Sequence, residues 1–149
     1  MTAAFETVWR QRAARLARPA APPEPGVLTV LVVRLGEERY ALDLAAVAEV
    51  APTGHLSPVP GAAAMLAGVM ALRSQIRPVW DLARLLGLAA GATPGGGYVV
   101  LLRTNAGLWV EGLEGIRRLT RTELPEGRRV TADLVAVLDL EALRKEMER

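Results

Sequence analysis

The chain has 149 residues, of which 51 % are hydrophobic and 23 % charged, with a formal net charge of +2. That apolar content excludes a disordered chain and suffices for one domain with a real core. The absence of cysteine excludes a disulfide framework, a thiolate metal site and a cysteine nucleophile, and it fits a cytosolic protein.

The excess charge sits at the N-terminus. Arg10, Arg12, Arg15 and Arg18 outnumber Glu6 and Glu24, whereas residues 27–149 carry fourteen basic and fourteen acidic side chains. The body is therefore no basic platform for nucleic acid. The N-terminus lacks the apolar core of a secretory signal. The longest apolar run, Gly61–Leu72, stops at Arg73, well short of the about 20 residues of a membrane span, so no membrane insertion is expected.

In chain order, Phe5, Val8, Trp9 and Leu16 share a face at helical spacing, which predicts a helix over 5–18. It either packs on its own domain or docks on a partner. Four prolines and a glycine in Pro19–Gly26 make an extended linker. Residues 1–26 thus form an appendage, and 27–149 the domain. Val27–Leu35 is a β-branched run with the mark of a buried strand. Gly36-Glu37-Glu38 is its turn, and Arg39–Leu44 returns as a half-exposed strand in which Tyr40, Leu42 and Leu44 alternate with Arg39, Ala41 and Asp43. Ala45–Val50 suits either a helix or a bent strand. Ala51–Gly61 is loop, Leu66–Leu72 a buried strand broken by Gly68, and Ser74-Gln75 a turn. In the strand Ile76–Trp80, Pro78 marks an edge or a strand end. Asp81 caps a short helix that Gly87 stops.

After the glycine-rich loop Ala89–Gly97, strands are predicted over Tyr98–Arg103, Leu108–Gly112 and Leu113–Leu119. Thr122–Thr131 is polar, Leu134–Leu138 a last strand, and Leu140–Met147 a closing helix capped by Asp139. The halves, about 27–88 and 97–149, echo each other. Each ends in apolar-Asp-Leu before a helix, at Val79–Leu82 and Val137–Leu140. This fits two small joined barrels in a mainly β fold.

Signs of chemistry are sparse. The single histidine, His55, lies beside Ser57 on a proline-rich loop, and sequence neighbours on a loop do not build a triad. One histidine and no cysteine argue against a zinc site. No Lys-Ser/Thr follows Gly91–Gly97, so it is no phosphate cradle. Neither catalytic residues, metal nor cofactor are expected. A small barrel binding single-stranded nucleic acid is the alternative class. It needs aromatics interleaved with cations. The six aromatics are few, and the loose cluster Arg117, Arg118, Arg121, Arg128 and Arg129 is offset by Glu111, Glu114, Glu123 and Glu126, as on a solvated face.

One ordered pattern is specific. After the strand Val30–Leu35 come Leu-Gly-Glu-Glu, Tyr-Ala-Leu-Asp-Leu, Val-x-Glu-Val, Pro-Val-Pro-Gly, Gly-Val-x-x-Leu-Arg and Pro-Val-x-Asp-Leu, ending at Leu82. This series resembles the CheW-like adaptor family of bacterial chemosensory systems, closely over Val27–Leu88 and loosely over Tyr98–Leu143. The resemblance implies two SH3-like β-barrels packed together and a non-catalytic adaptor. It would couple the cytoplasmic tips of chemoreceptors to the regulatory domain of a CheA-type histidine kinase, in the cytoplasm at receptor arrays. It implies receptor-binding roles for Val47, Gly68 and Arg73 and a kinase-binding role for Glu49. Each residue also has a structural reading: Val47 as core, Gly68 as a bulge, Arg73 as a brace. Two departures stand out. Ser74 occupies a position where the family has glycine, and Thr120–Asp133 is too short for the family's loop and extra strand. The second barrel is expected to lack a strand, with kinase docking altered or lost.

Overall fold

Leu28–Leu35 (β1) and Glu38–Asp43 (β2) form a hairpin around Gly36, whose φ of +61° is the reason the turn takes glycine. The Glu111 carboxylate accepts the Gly36 N–H at 2.5 Å. In this computed structural model residues 26–88, 96–124 and 129–148 are described. The helix expected over 5–18, its linker up to residue 25 and most of the Ala89–Gly97 loop lie outside them.

The ambiguous Ala45–Val50 segment resolves into both alternatives. A 3-10 turn, Leu44–Ala46, is capped by the Asp43 side chain, and the strand Val47–Pro52 (β3) follows. Then come Leu66–Leu72 (β4), Gln75–Asp81 (β5) and the helix Leu82–Leu85 (α1). Tyr98–Leu102 (β6), Gly107–Val110 (β7), Gly112–Leu119 (β8), Val135–Val137 (β9) and Leu140–Met147 (α2) complete the order. Both repeated aspartates cap helices as expected: Asp81 accepts from Ala83 N at 3.1 Å, and Asp139 from Glu141 N at 3.1 Å. No helix of the described residues is long and apolar enough to cross a membrane.

The strands form a five-stranded sheet, β3-β6-β7-β5-β4, and a four-stranded sheet, β8-β1-β2-β9. Two β units are therefore present, but neither is one half of the sequence, because each takes strands from both halves. The 3-10 turn after β2 carries the chain out of the four-stranded sheet. The link at Glu111, whose N–H bonds Arg34 O at 3.2 Å, brings it back. The five-stranded sheet is closed towards its free edge by Ser57, which exchanges two 2.9 Å backbone bonds with Val69 of β4.

The core is layered accordingly. Leu31, Val33, Leu35 and Leu42 meet Val50, Val100, Leu102, Leu108 and Val110 in a central core between the units, sealed by Leu82 and by Leu143 of α2. Val30, Val32, Ala41, Leu119 and Val135 fill the four-stranded unit. Met70, Val79, Val99 and Trp109 fill the five-stranded one. β1 thus has a core on both faces, which is why its sequence is a continuous apolar run. The same geometry corrects the reading of β2 as half-exposed: Ala41 is fully buried, since its face looks into the smaller core. Burying a leucine as completely as Leu31 or Leu108 stabilises the fold by roughly 1.5–3 kcal/mol.

Tyr40 lies at the rim of the central core and donates its hydroxyl to the Glu38 carboxylate. Burial, and then Glu38, push its pKa up to about 12. A group whose folded pKa is raised stabilises the fold below the unfolded value and loses that contribution as pH rises through the folded one. Ultraviolet titration should therefore show one tyrosine resisting ionisation to near pH 12. The melting temperature of Tyr40→Phe should fall less steeply than wild type between about pH 10 and that point.

Pro78 is not on a sheet edge, because β5 lies between β4 and β7. Val69, opposite it, spends both backbone groups on Ser57, so Val69–Pro78 is a pair without mutual backbone bonds. The missing N–H of Pro78 faces the side where β7 has not begun, since β7 pairs only with Val79–Asp81.

Four strands of the smaller unit lie among the described residues, which omit 125–128 of the stretch where a strand was expected to be lacking. Beyond β9, among the described residues, Val130 makes one antiparallel bridge, to Ala136. Side chains supply the closure. Arg117 of β8 grips Asp133 at 2.7 and 3.2 Å and reaches Glu123 at 3.0 Å. Arg39 of β2 bonds the Asp133 carbonyl. Thr131 Oγ1 donates to Asp133 at 2.6 Å and accepts from Val135 N at 3.0 Å. The Arg117 guanidinium, with Thr131, holds the Asp133 carboxyl well below the usual carboxylate range. A depressed folded pKa gives stability that is complete above the unfolded value and is lost as pH falls towards the folded one. Asp133→Asn should therefore melt lower than wild type at neutral pH, with the gap narrowing only below about pH 4. Thermal melts across pH check this.

Candidate interaction site

Gly68 lies at a bulge in the β4–β5 ladder, where the register shifts between Leu66 and Gly68. Its φ is +150°, and an added Cβ would stand 2.6 Å from the Ser57 carbonyl oxygen. The bulge reading of the sequence is thus correct, and the glycine also admits the strand-closing segment around Ser57.

Five residues on, the hairpin turns through Arg73 and Ser74, with φ of +50° and +64°. Two central residues with positive φ between Leu72 and Gln75 is the arrangement that best matches strand twist. The turn falls one residue earlier than the sequence suggested. Ser74 pays the steric cost expected of a serine in a glycine position. Ser74→Gly should raise stability by about 0.5 kcal/mol, the relief of strain minus the entropy of a freer unfolded chain. A slight rise in melting temperature would show it.

Arg73 is 76 % exposed at its side chain, and its Nε bonds Glu49 Oε2 at 2.9 Å. Glu49 is only 21 % exposed, and its other oxygen is buried without a partner. The pair spans from the turn after one edge strand, β4, to the other edge strand, β3. Two residues that the sequence assigned to different partners are therefore in direct contact. Val47, the third candidate on this side, is 4 % exposed and packs in the central core. Its side chain offers no surface, and any influence on binding acts through the position of β3.

His55 is exposed on its loop, while the neighbouring Ser57 has its backbone engaged with Val69. Among the described residues no group of three His, Asp or Glu side chains is placed to hold a metal. Among the described residues, Trp109 is buried and donates to Gly96 O at 2.7 Å, and Trp80 packs on the central core, so neither tryptophan is a free stacking platform.

Sequence reasoning missed two features. The ion-pair brace of Arg39, Arg117 and Asp133 joins residues too far apart for any spacing rule, and Arg117 read as part of a solvated face. Arg77 bonds Asn105 at 2.5 Å, tying the β4–β5 hairpin to the β6–β7 turn. The positive φ of Asn105, +71°, belongs to the turn that joins β6 to β7, and no spacing in the sequence points to Arg77 as its partner.

Two interlocked β units, a layered core and a site made of an exposed cation on a rigid turn describe a scaffold module. The CheW-like domain model matches residues 29–146, so the chain belongs to the CheW-like family, the adaptors and scaffolds of chemotaxis signalling. Among solved structures it is similar to the scaffolding protein TtCheW from Thermoanaerobacter tengcongensis. The TM-score is 0.65 at 22 % identity, covering 78 % of this chain and 91 % of that one. No match is found among curated proteins.

Proposed function

We propose that this chain is a non-catalytic adaptor that couples chemoreceptor tips to a CheA-type kinase in the cytoplasm. Its receptor side is carried by β3 and the β4–β5 hairpin. The observation that supports this most is the Arg73 guanidinium. A strained, twist-matched turn holds it in the open, and Glu49 orients it through one nitrogen while the rest of its donors stay available. Gly68 serves the same surface by letting the Ser57 segment close the barrel beneath it.

Kinase docking is the altered part. Its support is the four-stranded unit, in which side-chain ion pairs around Asp133 stand where a further strand would give a continuous surface. Titration calorimetry with the cognate receptor-tip fragment and, separately, the kinase regulatory domain tests both halves of the reading. Binding to the receptor with weakened kinase affinity is expected. Undiminished affinity for the kinase would overturn the second half, and binding to neither partner would overturn the whole.

A further inference from the structure

Ser74 stands at the tip of the β4–β5 hairpin, where Arg73, Ser74, Gln75 and Ile76 are all exposed. Its φ of +64° suits glycine, so the side chain is carried there at a steric cost. Nothing in the fold recovers that cost, because the Ser74 hydroxyl bonds no group among the described residues. Ser57, the only other serine, is half-buried and held by its backbone to Val69.

The charge around the tip is one-sided. Between Glu49 and Asp81 the chain has no carboxylate, and its arginines there are Arg73 and Arg77, on either side of Ser74. Arg77 is committed to Asn105 at 2.5 Å. Arg73, adjacent to Ser74, gives its Nε to Glu49 and keeps most of a 76 % exposed side chain in solvent. A serine between two cations, with no anion near it in the chain, is a charge pattern that a kinase with an acidic cleft selects. The same Arg73 is a ready partner for the product, since a guanidinium pairs with phosphate through parallel hydrogen bonds.

We infer that Ser74 is a phosphorylation site whose phosphoryl group engages Arg73 in competition with Glu49. Ser74 Oγ attacks the γ-phosphorus of a nucleoside triphosphate. The new O–P bond forms as the bond to the β–γ bridging oxygen breaks, the nucleoside diphosphate leaves, and the hydroxyl proton passes to the base of the modifying kinase. About two negative charges then stand beside the one open cation of the tip. Resting on the function proposed above, the modification covers Arg73 and turns receptor coupling off.

The test incubates the full chain with MgATP and the purified catalytic domain of an arginine-directed serine/threonine kinase. Peptide mass spectrometry locates the phosphate, and calorimetry reads the affinity for a receptor-tip fragment. Thr104, exposed beside Arg103 in the β6–β7 turn, is the competing acceptor, so Ser74→Gly and Thr104→Val are run alongside. Phosphate should appear on Ser74, persist in Thr104→Val and be lost in Ser74→Gly. The modified chain should bind the receptor fragment at least tenfold more weakly, while its melting temperature stays within about 3 °C, as for a change confined to the surface. Ser74→Glu, with one charge in place of about two, should lose less affinity. Absence of phosphate from Ser74, or phosphate there with affinity unchanged, would overturn the inference. Failure of the unmodified chain to bind the receptor fragment would instead remove the receptor reading on which the switch rests, and the modification site would stand on its mass spectrum alone.

Discussion

Gly68→Val will cost the protein about 3 kcal/mol or more and lower its melting temperature by about 10 °C. Two independent penalties combine. A φ of +150° is hostile to a branched side chain, and the new Cβ would stand 2.6 Å from a backbone oxygen that cannot rotate away. Relief requires the Ser57 segment to move, breaking its two bonds to Val69 and opening the five-stranded barrel along β4. Gly61 provides the contrast. Its φ is +76°, but nothing lies within 4 Å of an added Cβ. Gly61→Ala should cost only about 1 kcal/mol, the conformational part alone. If both variants melt alike, close approach is not what requires glycine at Gly68. Loss of receptor binding in Gly68→Val would then accompany loss of the barrel, which separates this position from a direct contact.

The parts of the fold that were legible in the sequence are those fixed by local rules. Hydrophobic period and β-branching located β1 and β4, the capping aspartates located both helices, and Pro78 and Gly68 marked irregularities that are present. The assignment of strands to sheets was not legible. The two halves echo each other, yet the 3-10 turn at Leu44–Ala46 sends β3 into a different sheet from β2, and no local signal encodes that exchange. Ala41 was misjudged for a related reason. A small residue on a strand reads as surface unless a second core covers it, and that second core is built by Leu119 and Val135 from far along the chain. At the site, ordered motifs picked out Glu49 and Arg73 separately. Only the closure of the barrel brings β3 and the β4–β5 turn within bonding distance.

The Arg73–Glu49 contact makes a prediction that separates bracing from recognition. Arg73→Glu should weaken receptor binding by about 2 kcal/mol or more, roughly thirtyfold. Its effect on stability should be smaller, on the order of 1 kcal/mol, because the guanidinium is largely exposed and the pair is screened. Part of that loss falls on Glu49, which already has one buried oxygen without a partner and would face a like charge at the other. Glu49→Arg should show the mirror effect on stability. The double variant restores opposite charges across the same two strands, so its melting temperature should return towards wild type. Its receptor affinity should not, since the exposed end of the turn then presents a carboxylate where the partner requires a cation. Recovery of binding in the double variant would show instead that the bridge matters only for holding β3 against the hairpin.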